Sequence, residues 1–101
     1  MLLTTLMTLT LAADPAPVMR VQATGLNLAR RADAVVFAGR VAEQSRAFCA
    51  VHVERITPEH VGDPRFCERG MARETLHVLP AEHRAAFYRA GGRRVLTRLQ
   101  R

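Results

Sequence analysis

The sequence predicts a mostly helical α+β domain: a short N-terminal strand, two main helices clipped by one disulfide, a short third helix and a basic tail. Three observations lead to this fold class. Apolar residues recur at helical spacing over residues 31–50, a helix-start signal stands at residues 63–64, and the Val-rich residues 18–23 are too few for a helix. The 101 residues, 49% of them apolar and 24% charged, have the composition of one foldable domain.

The predicted strand at residues 18–23 needs a partner strand, because a single strand leaves its backbone groups unpaired. Two segments have a suitable composition for this role. They are residues 51–56, which alternate apolar and polar side chains, and residues 94–99. The pattern favours neither, so both partners stay open at this point.

The first main helix is predicted over residues 31–50. Its apolar side is formed by the following residues: Ala34, Phe37, Ala38, Val41, Ser45, Phe48 and Cys49. Gly39 lies in the interior of this helix, where glycine costs up to about 1 kcal/mol relative to alanine. We therefore expect another element to pack closely against Gly39.

The second main helix is predicted to begin at Asp63, after a loop over residues 57–62. The Asp63 carboxylate is suited to accept hydrogen bonds from the free amides at the helix start. Pro64 takes the first helical position, where its missing N–H costs nothing. The helix is expected to end at Leu79, because the next residue is Pro80.

The C-terminal part of the chain carries most of the net charge. A short third helix is predicted over residues 81–90, ended by Gly91 and Gly92, and residues 93–101 form the basic tail. Residues 80–101 contain six arginines and one glutamate, whereas residues 14–79 contain nine arginines and eight acidic residues. The body of the protein is therefore nearly neutral and its C-terminus is cationic.

Residues 1–13 have the outline of a signal peptide. They carry no charged side chain, consist mainly of Leu, Met and Thr, and precede the Pro-containing residues 14–17. The apolar stretch is too short to cross a hydrocarbon core, which needs about 20 residues. We expect cleavage after Ala12 or Ala13 and a periplasmic or secreted mature protein. The alternative is a buried N-terminal helix of a cytosolic protein.

The two cysteines, Cys49 and Cys67, are expected to form one disulfide in an oxidising compartment. Such a bridge would join the last turn of the first main helix to the first turn of the second. Closing a loop of this length stabilises a fold by about 3 kcal/mol in the chain-entropy model. In the cytosolic alternative both cysteines are reduced thiols.

Several short motifs together resemble a known family. They are Leu26-Asn27-Leu28 after a short strand, the pairs Arg40-Val41 and Phe48-Cys49, and a second cysteine, Cys67, followed by Ala72. They resemble the UrcA family, a group of small exported bacterial proteins of unknown function. The resemblance covers residues 19–79 and implies an exported, disulfide-bonded helical domain, with no activity attached. The chain thus divides into a signal peptide (1–13), a UrcA-like disulfide-bonded domain (14–79) and a basic C-terminal extension (80–101).

The sequence predicts neither an enzyme nor a cofactor. All fifteen basic residues are arginine, which excludes a Schiff-base lysine and the lysine of a phosphate-binding P-loop. Ser45 is the single serine, and it lies within the apolar side of the first helix. The histidines and cysteines match no zinc or haem spacing, so no metal site is predicted.

The arginines near the C-terminus are the main functional candidates. Those proposed to bind anions are Arg89, Arg93, Arg94, Arg98 and Arg101. They predict a non-enzymatic exported protein that binds anionic lipid or envelope polymer, and nucleic acid is not an expected partner outside the cytoplasm. Two alternatives stay open. One is a solvated basic helix packed on the body, and the other is a metal-binding or metal-stress protein that uses His52, His60 and carboxylates.

Overall fold

The computed structural model describes residues 15–101, and all the regular secondary structure in that range is helix. The elements are α1 (Arg31–Ile56), a short 3₁₀ turn (Pro58–His60), α2 (Pro64–Val78), α3 (Ala81–Arg89) and α4 (Gly92–Leu99). Residues 1–13, the predicted signal peptide, lie outside the described residues.

Helix α1 is the element on which the others pack. It contacts both α2 and α4 along its buried side. That side consists of these residues: Ala34, Phe37, Ala38, Val41, Ala42, Ser45 and Cys49. The predicted apolar side of the first helix is therefore confirmed, except that Phe48 is only half-buried. The expected close packing at Gly39 is wrong, because a Cβ atom added there would meet no atom within 4 Å.

The predicted α+β fold class is wrong, because residues 15–101 contain no strand and no sheet. Residues 51–56, one proposed partner strand, are the last turns of α1. Residues 94–99, the other, lie within α4, where Leu96 is buried and Val95 half-buried. A short alternating segment fits a helix as well as a strand when its apolar residues also fall on one helical face. Tertiary packing of Leu96 selects the helix for residues 94–99. Residues 51–56 contain no buried side chain and are helical as the continuation of α1.

The segment proposed as the N-terminal strand has side chains that alternate in exposure as in a strand, but it pairs with no other strand among the described residues. Side chains alternate between half-buried and exposed over residues 17–24, which is the period of an extended chain. Val21 and Ala23 pack against the helical core. The Arg40 guanidinium fixes the segment by donating a hydrogen bond of 2.9 Å to the Gln22 carbonyl. The segment therefore lies against the helices as an extended strap.

The disulfide between Cys49 and Cys67 is present and joins α1 to the first turn of α2. Both cysteines are buried, and their Cα atoms lie 5.9 Å apart. Pro64 occupies the first turn of α2 as predicted. Asp63 precedes it but makes no side-chain capping bond, so its predicted role as a hydrogen-bonding N-cap is wrong.

The basic tail predicted after the third helix is instead an ordered helix, α4, packed on α1. Gly91 allows the sharp turn between α3 and α4, because its φ of 83° lies in the left-handed region that favours glycine. Phe87, fully buried, contacts Phe37 edge-to-face with ring centroids 5.5 Å apart. Its ring also lies so close to Gly92 that a Cβ there would overlap it. The alternative of a basic helix packed on the body is thus the observed arrangement.

The hydrophobic core contains residues from each of α1 to α4 and one residue of the segment before α1, Leu28. Its buried members are Leu28, Ala34, Phe37, Ala38, Val41, Ala42, Ala72, Leu76, Phe87 and Leu96. Within residues 15–101, no helix is both long and apolar enough to span a membrane.

The disulfide is expected to supply much of the stability of this small core. The two cysteines are 18 residues apart, and closing such a loop stabilises the fold by about 3 kcal/mol. Urea unfolding with and without reductant should therefore differ by about 3 kcal/mol in unfolding free energy. The Cys49→Ala/Cys67→Ala variant is the control and should not respond to reductant. Equal stability of the native protein under both conditions would contradict this account.

The space around Gly92 and Gly39 differs, and this difference predicts opposite effects on stability when each glycine is replaced by alanine. Gly92→Ala should lower the unfolding free energy by about 3 kcal/mol, because the new Cβ displaces the Phe87 ring. Gly39→Ala is the matched control in open space and should raise it by up to about 1 kcal/mol through helix propensity. Thermal or urea unfolding measures both. Similar values for the two variants would show that the packing at Gly92 is described wrongly.

Candidate anion-binding surface

Helix α4 separates its arginines from its apolar residues. Gly92 and Leu96 face the core and Val95 is half-buried. Five residues are exposed on the opposite side: Arg93, Arg94, Thr97, Arg98 and Arg101. At 3.6 residues per turn they occupy an arc of about 140° of the helix surface. Burial of the apolar side therefore turns the arginines outward as a group.

Two contacts hold this helix in a definite position. At its C-terminal end, Gln100 Nε2 donates a hydrogen bond of 3.1 Å to the backbone carbonyl of Glu68 in α2. At its N-terminal end, the Arg93 guanidinium lies over the Tyr88 ring of α3, 5.6 Å from the ring centroid. The arginines of α4 are thus carried by a helix fixed to both of its neighbours.

The structure brings the predicted anion-binding residues together and adds a residue from the start of α1. Arg89 is the last residue of α3, and Arg93, Arg94 and Arg98 follow in α4. These four line a cleft of about 530 Å³ together with Arg31, whose guanidinium lies beside Gly91. Arg101 lines a neighbouring hollow of about 470 Å³ together with Arg93, Arg94 and Arg98. Arg31 was missed by sequence reasoning, because only the folded chain shows that the start of α1 meets the turn between α3 and α4.

A second group of arginines faces α4 from α2. Arg69 and Arg73 lie one turn apart on α2 and border a groove of about 330 Å³ between the two helices. The groove is lined by Arg69, Ala72, Arg73, Leu76, Tyr88, Arg93, Leu96, Thr97, Gln100 and Arg101. Its lining contains four arginines and no acidic residue. In the sequence, the four-residue spacing of Arg69 and Arg73 places them on one helical face. That spacing does not show that the face borders α4, so these two residues are not among those that the sequence predicts to bind anions.

The positive charge of this surface is not balanced by nearby acids. None of the arginines that line the cleft or the groove forms an ion pair with an acidic side chain among residues 15–101. Arg69 donates only within its own helix, to the Arg65 carbonyl. The first turn of α4 also contains no acidic residue. The surface therefore presents several guanidinium groups that pair with no acidic side chain of the described residues.

The histidines and Ser45 show no arrangement suited to metal binding or catalysis. His52 lies against Phe48 with ring centroids 4.7 Å apart, and His60 stacks on Phe66 at 3.8 Å. The described residues contain no group of three or more metal-ligating side chains. Ser45 is fully buried, and its hydroxyl has no hydrogen-bond partner in this part of the chain. It is therefore shielded from any substrate, and no observation favours the metal-binding alternative.

The strap covers a separate cavity of about 650 Å³. Residues 17–24 form one wall, and side chains of α1 and α2, among them Phe37, Met71 and Val78, form the other. The charged residues in its lining are one of each sign, Arg20 and Glu74. This cavity therefore has no net charge to select an anion, in contrast to the groove beside α4.

No protein-family model, curated protein or solved structure matches this chain. The resemblance of residues 19–79 to the UrcA family is thus supported by their motifs alone and stays a prediction.

Proposed function

We propose that this protein is an exported, non-enzymatic protein of the UrcA type that binds anionic envelope components through the arginines of α3 and α4. The observation that supports this proposal most is the outward row of arginines on α4, which pair with no acidic side chain in the part of the chain that the structure describes. Guanidinium groups bind phosphate and carboxylate oxygens through paired hydrogen bonds. A surface of this kind attracts polyanions, and its attraction weakens as salt increases.

The packing of α4 favours adsorption to an anionic surface over insertion into a membrane. An amphipathic helix that enters the lipid interface needs a free apolar side. In this protein Leu96 is buried in the core and Val95 packs against it, so most of that side is occupied and Leu99 is the one apolar residue of α4 that is exposed. The arginines can thus contact headgroups or polymer phosphates while α4 keeps its position on α1.

Export is supported by the signal-peptide outline of residues 1–13 and by the disulfide between Cys49 and Cys67. Disulfides persist in the periplasm and outside the cell, whereas cytosolic thiols are mostly kept reduced. In those compartments the abundant anions are lipid headgroups and envelope polymers. The partner we propose is accordingly an anionic envelope component and not nucleic acid.

The proposal predicts that Arg94→Gln/Arg98→Gln weakens binding to anionic vesicles. Each arginine near an anionic membrane contributes about 1 kcal/mol, so the double substitution should reduce the partition coefficient about 30-fold. The measurement is co-sedimentation with phosphatidylcholine vesicles that contain phosphatidylglycerol, at low and at physiological salt. Substitutions are preferable to removal of α4, because removal also takes Leu96 out of the core.

The control is Arg46→Gln/Arg65→Gln, which removes the same charge from two exposed arginines of α1 and α2. Neither residue lines the cleft or the groove. This control should bind vesicles nearly as well as the unaltered protein. An equal loss in both variants, or an absence of binding by the unaltered protein, would refute the proposed function.

A further inference from the structure

We infer that the groove between α2 and α4 is a binding site for a phosphomonoester group. This inference rests on the proposed function, and it deepens that function by assigning a ligand class and two further residues, Arg69 and Arg73. The general positive surface of α4 attracts many anions. The groove differs from it because arginines approach the same space from two helices.

Guanidinium groups border the groove on both of its sides. Arg69 and Arg73 are four residues apart on α2, and side chains at this spacing lie on one face, about 6 Å apart along the helix axis. Arg93 and Arg101 border the groove from α4. The hydrogen bond from Gln100 to the Glu68 carbonyl connects the two helices at one end. Both helices also pack on α1, so the groove between them is present before a ligand enters.

The chemistry of this lining suits a phosphomonoester better than a carboxylate or a phosphodiester. A phosphomonoester carries a charge of about −1.5 to −2 at neutral pH and offers three strong acceptor oxygens. It is therefore able to accept paired hydrogen bonds from arginines of both helices at once. A phosphodiester has one negative charge, and a carboxylate has two oxygens, so each of them satisfies fewer of the four guanidinium groups.

The remaining residues of the groove support the same ligand. Tyr88 also lines the groove, and its phenolic hydroxyl is a further donor for a phosphate oxygen. The Thr97 hydroxyl already donates a hydrogen bond of 2.9 Å to the Arg93 carbonyl. Ala72, Leu76 and Leu96 form an apolar floor that is buried in the core. Charge interactions above such a floor are screened less than in open water. A volume of about 330 Å³ accommodates a headgroup-sized ligand.

The test compares vesicles that carry phosphatidic acid, a phosphomonoester lipid, with vesicles that carry phosphatidylglycerol at the same surface charge. The unaltered protein should bind the phosphatidic acid vesicles about tenfold more tightly. Arg69→Gln/Arg73→Gln should abolish this preference, while binding to phosphatidylglycerol through Arg94 and Arg98 continues. Both substituted residues are exposed, and circular dichroism with thermal unfolding checks that the variant folds normally.

The charge-matched variant Arg46→Gln/Arg65→Gln should keep the preference for phosphatidic acid. A preference that survives in Arg69→Gln/Arg73→Gln, or that disappears equally in the matched variant, overturns the inference about the groove. It leaves the proposed function intact, since vesicle binding itself continues. Failure to bind either kind of anionic vesicle instead refutes the proposed function.

A second arm distinguishes a lipid source of the phosphate from a soluble one. Glycerol 3-phosphate is titrated into the protein while backbone amide resonances are recorded. Resonance shifts centred on Arg73 and Thr97 support recognition of the phosphate group alone. If no such shifts occur but Arg69→Gln/Arg73→Gln loses the preference for phosphatidic acid vesicles, the groove recognises the phosphate at a lipid surface. Shifts centred on Arg94 and Arg98, with no effect at the groove, overturn the inference.

Discussion

The contact of Phe87 with Phe37 and Gly92 determines where the C-terminal part of this protein lies. The Phe87 ring is fully buried, meets Phe37 of α1 edge-to-face and covers the first residue of α4. This contact joins α3 to α1 and provides the surface against which the first residue of α4 packs. The left-handed turn at Gly91 and the burial of Leu96 follow from the same arrangement. The burial of Leu96 and the hydrogen bond from Gln100 to the Glu68 carbonyl then complete the attachment of residues 92–101.

The functional surface is a consequence of this packing. Helix α4 has both apolar residues and arginines, and its docking on α1 uses the apolar side, so the arginines remain on the outside. Docking also brings α4 beside Arg69 and Arg73 of α2, and the groove between the two helices has no acidic residue from positions 15–101 in its lining. The disulfide contributes indirectly, because it holds the start of α2 against α1 and thus fixes the other wall of that groove.

The sequence predicts the parts of the fold that have a local cause. The helical spacing of apolar residues predicts α1, Pro64 predicts the start of α2, and the cysteine count predicts the bridge. The strand predictions for residues 51–56 and 94–99 are wrong, because six-residue patterns fit a strand as well as a helix. Residues 51–56 continue α1, and residues 94–99 become helical with Leu96 buried in the core. The arginines of α4 are evident from charge alone. Tertiary packing adds Arg31, Arg69 and Arg73 to this surface, and no local pattern in the sequence indicates which distant residues will become neighbours.

The most direct test of this account is amide hydrogen exchange over residues 92–100, because every conclusion about the surface depends on α4 being a docked helix. The Val95 amide donates to the Gly91 carbonyl and the Gln100 amide to the Leu96 carbonyl. If α4 is docked, the amides of its central turn should exchange much more slowly than those of the strap at residues 17–24, where no ladder of hydrogen bonds protects them. Exchange across α4 at the rate of an unstructured chain would contradict the account, because the arginines would then belong to a mobile tail.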